Sequence, residues 1–119
     1  MACSKYQKYV YVSINDVVVK HQADSASNIN LWPHNTFRES CSKWGFTPQL
    51  IPDSKPVKAV NGTGVVVKGY FEATLSSTKA SKKSKIYVMA ADQKAAPLMS
   101  RFDLFDLGYI RIDPMGSYS

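Results

Sequence analysis

Two β-prone runs with only two residues between them constrain this chain more than any other feature. Tyr6 to Ile14 reads YQKYVYVSI and Val17 to Ala23 reads VVVKHQA, both rich in aromatic and β-branched residues, and Asn15-Asp16 is all that joins them. A link that short permits an antiparallel hairpin and excludes a crossover to a parallel strand. The chain therefore opens as sheet, and the remaining segments must supply strands to cover it.

They do so in short pieces. Asp24-Ser25-Ala26-Ser27-Asn28 interrupts the apolar pattern with small and polar residues, and Ile29 to Trp32 resumes it up to Pro33. Residues His34 to Trp44 allow one short helix, with Asn35 or Thr36 as N-cap and Gly45 as stop. Phe46 to Pro56 carries three prolines in eleven residues and is expected to be extended or irregular. Strand character returns at Val57 to Val60, breaks at Asn61-Gly62-Thr63-Gly64 and resumes at Val65 to Leu75, a second hairpin with a glycine-bearing tip. Ser76 to Ser84 reads as a lysine-rich turn and Lys85 to Ala90 as a strand. Arg101 to Leu107 reads as a short helix with Phe102, Phe105 and Leu98 at helical spacing and Gly108 as its stop, and Tyr109 to Asp113 as a closing strand. The sum is an all-β chain with one or two short helices and no internal repeat or linker.

At 119 residues the chain is expected to form a single domain, 1–119, with a core over about 8–113 and flexible termini. No apolar run approaches the roughly 18–20 residues of a membrane-spanning helix, and MACSKYQKYVYV lacks the pattern of a secretory leader, so a soluble, non-secreted chain without a membrane partner is expected. Cys3 and Cys41 have neither metal-ligand spacing nor a disulfide-framework count, and read as free thiols. The net charge of +6 raises a nucleic-acid partner, but four of the twelve lysines fall between Lys79 and Lys85, a clustered run that reads as a solvated turn.

Several enzyme classes lack their parts. There is no Gly-rich phosphate loop, no HExxH and no CxxC; His21 and His34 are isolated, so neither metal nor cofactor is expected. His21 reads as a strand residue facing solvent or a neighbour. The pentad at 24–28 is different, because its single acid sits on a tight turn between apolar strands. On its own it reads as an Asx-turn, with the Asp24 carboxylate accepting from the amides of Ala26 or Ser27.

The order of motifs along the chain adds a second reading. Ala23-Asp24-Ser25-Ala26-Ser27-Asn28-Ile29-Asn30 is similar to the apolar-Asp-(Thr/Ser)-Gly-Ala motif of the retropepsins, the homodimeric aspartic proteases of retroviruses and LTR retrotransposons, with gypsy-type elements the nearest in pattern. Pro52 to Gly62 resembles the segment entering that family's flap, and Val65 to Tyr70 the strand leaving it. Ala96-Pro97-Leu98-Met99-Ser100-Arg101 resembles the apolar-apolar-Gly-Arg motif, and Asp106-Leu107-Gly108-Tyr109-Ile110 the end of the short helix and the closing strand. The resemblance runs in order over about residues 8–113. It departs at Ala26 and Ser100, where the family usually has glycine, and an added side chain there narrows backbone approach.

The resemblance implies a closed β-barrel or sandwich monomer with a flap hairpin and one short C-terminal helix, paired as a twofold homodimer. It implies an aspartic endopeptidase that cleaves polyprotein peptide bonds with water activated by Asp24 and the same residue of a second copy. Ser25 would bond across the dimer, the Ala26 carbonyl would meet substrate backbone, and Ser27 completes the active-site loop. Asn28 would bond substrate and pair with Arg101, which braces the loop, the alternative for Arg101 being an ion pair with Asp103 or Asp106. Asn61, Gly62, Thr63 and Gly64 would form the flap tip. Ile29, Leu31, Val57, Val60, Val65, Val67 and Leu98 are candidate pocket walls, core packing being the expected fate of most. A cytoplasmic location, also within virus-like particles, follows from the same resemblance, with nucleic acid not expected as a direct ligand. Two alternatives stand: a catalytically weakened or inactive dimer for peptide binding or assembly, and a basic β-barrel that stacks bases on Trp32, Trp44 and tyrosines.

Overall fold

The computed structural model describes residues 9–24, 27–53, 57–58 and 64–110. Strands β1 (Tyr9–Ile14) and β2 (Val17–Ala23) pair antiparallel from Tyr9 opposite Gln22 to Ile14 opposite Val17. Asn15 and Asp16 both take positive φ, 47° and 71°, the two left-handed residues that a two-residue hairpin matched to strand twist requires. The Asn15 N–H donates to Thr74 C=O at 2.9 Å, and its Oδ1 accepts from Thr74 N–H at 2.8 Å, which ties the hairpin tip to a strand far along the chain.

After β3 (Asn30–Trp32) comes helix α1 (His34–Trp44), over the residues the sequence allowed for a short helix. Its cap residue is Pro33, not Asn35 or Thr36, and no side chain caps it. The His34 N–H donates instead to Ala91 C=O, and the Asn35 side chain accepts from Gln93 N–H, so both serve the loop after β7, introduced below. Gly45 ends the helix at φ 83° with its N–H on Cys41 C=O, as expected. Phe37 and Trp44 carry the helix onto Trp32 and Phe71, whose rings lie 5.4 to 6.2 Å apart centre to centre.

β4 (Val57–Lys58) and β5 (Gly64–Val65) form a separate antiparallel ladder. The tip expected at Asn61, Gly62 and Thr63, and the strand end at Val60, lie outside the described residues; Gly64 belongs to β5. β6 (Val67–Ser76) then pairs along its length with β7 (Ser81–Met89). Residues 77–80 make the turn, closed by Ser77 N–H on Ala80 C=O at 2.8 Å. The lysine cluster is therefore mostly strand, a correction to the turn read over Ser76 to Ser84. Alternation turns Lys82 and Ser84 towards one face and Lys83 and Lys85 towards solvent, and this polar strand is stabilised by hairpin pairing with β6.

Gly69 explains how the proline-rich segment lies down. Ile51 and Tyr70 exchange two backbone bonds, of 2.8 and 3.0 Å, and a Cβ on Gly69 would sit 2.5 Å from the Ile51 carbonyl oxygen. The close approach needs the missing side chain.

β8 (Leu98–Met99) leads into helix α2 (Arg101–Asp106). The strands close a barrel in the order β1-β2-β8-β3-β7-β6, with Ser13 and Ile14 of β1 meeting Ser76 and Leu75 of β6. Val12, Ile14, Trp32, Leu75, Ile86 and Met99 fill it. Helix α2 is present where expected but turned: Phe102 and Phe105 are 53% and 48% exposed, while Leu104, Leu107 and Asp103 face inward. Polar contacts to Asp103 fix that face, as described below. Tyr109 and Ile110 are not in a strand, and 111–113 lie outside the described residues.

Candidate active site

β2 and β8 run parallel and end together, with Gln22 opposite Leu98 and Ala23 opposite Met99. Parallel neighbours point their following residues to the same end of the barrel, so Asp24 and Ser100 emerge side by side. The Asp24 N–H donates to Met99 C=O at 3.3 Å and its C=O accepts from Ser27 N–H at 3.1 Å, which ties Asp24 to both β8 and Ser27. Ser27 Oγ donates to Ile29 C=O at 2.7 Å and accepts from Ile29 N–H, so the hydroxyl holds the exit from the turn. Asp24 is 8% exposed. Ser25 and Ala26 lie outside the described residues.

Arg101 meets this loop through its backbone: its N–H donates to Ser27 C=O at 3.0 Å. Its guanidinium lies over the Phe102 ring at 4.9 Å, and its Nε is buried without a hydrogen bond. Asn28 is exposed and shares no hydrogen bond with Arg101. Nor does Arg101 take Asp103 or Asp106 as ion partner, since both belong to Lys82, at 2.7 and 2.5 Å.

The tightest polar contacts at the loop come from a network the sequence reading did not assemble, built on Asn30, Ser84 and Lys82 around Ser100 and Asp103. Asn30 is 2% exposed; its Oδ1 accepts from Ser100 N–H at 2.8 Å, and its Nδ2 donates to Asp103 Oδ2 at 2.5 Å and to Lys85 C=O at 3.0 Å. Ser84 Oγ donates to the same Asp103 oxygen at 2.7 Å, and Lys82 takes the other. Burial alone would push the Asp103 carboxyl up, but the bonds from Lys82, Asn30 and Ser84 outweigh it and hold it below its ordinary value. Burial likewise opposes the charge on Lys82, and the two carboxylates outweigh that and raise it. A polar residue inside each of two apolar stretches, Asn30 in ILW-like sequence and Asp103 among phenylalanines and leucines, is the signal that such a network leaves in sequence.

Ser100, one of the two departures from glycine, has a structural task. It is 3% exposed and its Oγ accepts from Asp103 N–H at 3.2 Å, capping α2. His21 faces a neighbour in the core: it is fully buried, donates from Nδ1 to Val19 C=O and accepts Trp32 Nε1–H at Nε2, both at 2.9 Å.

A cavity of about 280 Å³ flanks the loop, lined by Asn28, Ile29, Lys85, Tyr87, Ser100 and Phe102 among others. Of the other candidate wall residues, Leu31 is buried, Leu98 and Val67 are half-buried, and Val57 and Val65 stand in the separate ladder. A larger cavity of about 600 Å³ lies along α1 between Phe37, Phe46 and Lys68 and shares no residue with the loop. Among the described residues no three His, Cys, Asp or Glu side chains come together as metal ligands, and no helix is long and apolar enough to cross a membrane.

No protein-family model and no curated protein matches the sequence. Solved structures do. The EIAV protease in complex with the inhibitor HBY-793 superposes with a TM-score of 0.68 at 15% identity, over 91% of this chain and 94% of that one. The retroviral protease-like domain of Ddi1 from Leishmania major gives 0.58 at 18% identity, over 92% and 83%, and a retropepsin-like aspartic protease from Rickettsia conorii gives 0.59 at 19%, over 88% and 75%. At such identities the likeness is one of fold, and the chain has the retropepsin fold.

Proposed function

We propose that this chain is one half of an aspartic endopeptidase, with Asp24 of two copies forming the catalytic pair at a twofold interface. The observation that carries the reading is a buried carboxylate on the turn after β2, hydrogen-bonded through its backbone to the parallel strand β8, in a barrel of retropepsin fold. A single such turn supplies one acid, and the chemistry needs two.

Two carboxyl groups about 3 Å apart do not both ionise, so one keeps its proton while the other is a base. The ionised carboxylate takes a proton from a water held between them as the water attacks the peptide carbonyl. The protonated partner hydrogen-bonds the carbonyl oxygen, and the leaving amine departs protonated. No covalent intermediate forms. The substrate is an extended peptide of a polyprotein, its main chain pairing with strand edges, apolar side chains flanking the scissile bond and the β4–β5 hairpin closing over it as a flap. Ser25 links the two loops across the dimer, the Ala26 carbonyl and Asn28 take up substrate backbone, and Arg101 braces the loop. A retrotransposon-type polyprotein inside a cytoplasmic particle is the setting this substrate implies.

The nucleic-acid alternative needs open aromatic faces beside cations. Lys20 stands over the Tyr9 ring at 4.6 Å and Lys85 over Tyr70 at 4.7 Å, so these cations occupy ring faces on which bases would stack.

The deciding experiment compares the chain with Asp24→Asn on a peptide library at about pH 5 to 6. Pepstatin-sensitive cleavage that the substitution abolishes, from a particle of twice 13.2 kDa by light scattering, is the expected result. A dimer that binds peptide without cleaving it would favour the inactive assembly module, and a monomer without activity would overturn both.

A further inference from the structure

We infer that Lys82 and Asp103 are positioning residues for the Asp24 loop and act through the side-chain amide of Asn30. The inference rests on the protease reading for its catalytic consequence and on the contacts alone for its structural one.

Among the described residues the segment 99–101 is tied to the loop and to the start of β3 at three points. Met99 C=O accepts from Asp24 N–H, Arg101 N–H donates to Ser27 C=O, and Ser100 N–H donates to Asn30 Oδ1. The first two are backbone bonds of 3.3 and 3.0 Å; the third, at 2.8 Å, is the shortest and the only one made by a side chain. An amide has two ends, and chemistry decides which faces Ser100. With the oxygen on the Ser100 N–H, the NH₂ meets the Asp103 carboxylate; turned round, the oxygen would face a carboxylate and the NH₂ would face an N–H. Asp103, together with the Lys85 C=O, therefore holds Asn30 in the one orientation that grips Ser100, and the Asp103 bond is the shorter and the charged one.

Lys82 in turn holds Asp103. Its ammonium lies 2.7 Å from Oδ1, while Oδ2 is shared by Asn30 and Ser84. A buried carboxylate without that cation takes up a proton far more readily, and a neutral or displaced Asp103 grips the amide more weakly. Part of the basic run thus serves the site, because alternation along β7 aims Lys82 at α2 and leaves Lys83 in water. Loss of the Asn30 grip leaves the two backbone bonds, so the loop shifts against β8 while the barrel stays folded.

The test uses the full chain with Lys82→Met, Asp103→Asn, Lys82→Arg and, as control, Lys83→Met. Amide hydrogen exchange at neutral pH is expected to speed up by about tenfold or more at Asp24, Ser100 and Arg101 in Lys82→Met and Asp103→Asn, with the β1–β2 ladder unchanged. Lys82→Arg restores protection and Lys83→Met never loses it. In the cleavage assay the same two variants lose kcat by about tenfold or more at a KM within about twofold, and the acid limb of Lys82→Met moves to higher pH. Unchanged exchange at the three amides, or faster exchange spread evenly through the ladder, overturns the inference. Should the parent chain show no Asp24-dependent cleavage, the protease reading fails while the exchange pattern still decides the coupling.

Discussion

The Trp32 indole N–H donates to Nε2 of His21 inside the barrel, and this bond fixes the imidazole as the neutral form protonated at Nδ1. Neither residue has access to water. Burial lowers the His21 pKa from 6.5 to about 4, against the smaller effect of the Val19 carbonyl, which raises it.

A histidine that stays neutral in the folded state costs stability in acid. Its folded pKa lies below its unfolded one, so the stabilisation is complete above pH 6.5 and falls as pH drops towards 4, where the folded state also takes the proton. The loss amounts to about 3 kcal/mol over that window. Urea unfolding at neutral pH and in mild acid is expected to show the decline, and His21→Gln, which does not titrate, to remove most of it. An equally steep decline in the variant would refute the assignment.

Ser100 stands where the resembling family carries glycine, and its hydroxyl caps α2. Stability should therefore rank Ser above Gly above Ala at this position: Ser100→Gly costs a few tenths of a kcal/mol and Ser100→Ala about 1 kcal/mol. Thermal melts of the two variants check the order. If alanine matches serine, the cap contributes nothing.

Gly69→Ala is expected to be the more damaging change. The added methyl meets the Ile51 carbonyl at 2.5 Å, backbone against backbone, so the segment bearing Ile51 must lift from β6. A cost of about 1–3 kcal/mol follows, with exchange protection lost at Ile51 and Tyr70. Retained protection at both amides would show that the strand accommodates the methyl by another route.

What the sequence made legible was local. Asn15-Asp16 forces its hairpin because two residues leave no other connection, and Gly45 stops α1 because only the turn it joins matters. The acid at 24 stands out for the same reason, a polar break between two apolar runs. The Lys79 to Lys85 segment misled because its stability is borrowed: Lys83 lies opposite Thr74, and Lys82 reaches carboxylates on α2. Helix α2 misled through hydrophobicity, which favours burying Phe102 and Phe105. The inward face is set instead by Asp103, whose partner Asn30 lies 73 residues away. His21 is hidden in the same manner, since its burial depends on an indole N–H from another strand. Periodicity reads an element's own face, whereas these residues are placed by partners that only the closed barrel brings near.

Two of the buried titratable groups, His21 and Asp103, divide the acid range between them, which makes each separately measurable. Asp103 is held below its ordinary 3.8, so its contribution is full above that value and disappears as pH falls through the depressed folded pKa. His21 acts between 6.5 and about 4. Stability against pH should accordingly fall in two stages, the upper from His21 and the lower from Asp103. His21→Gln is expected to flatten only the upper stage and Asp103→Asn only the lower. Lys82→Met should flatten or reverse the lower stage, because burial without the cation raises the folded carboxyl towards or above its unfolded value, and acid then no longer destabilises the fold through this group. Denaturant midpoints taken across the acid range for the three variants test this, and a lower stage that survives Asp103→Asn would assign it to another carboxylate.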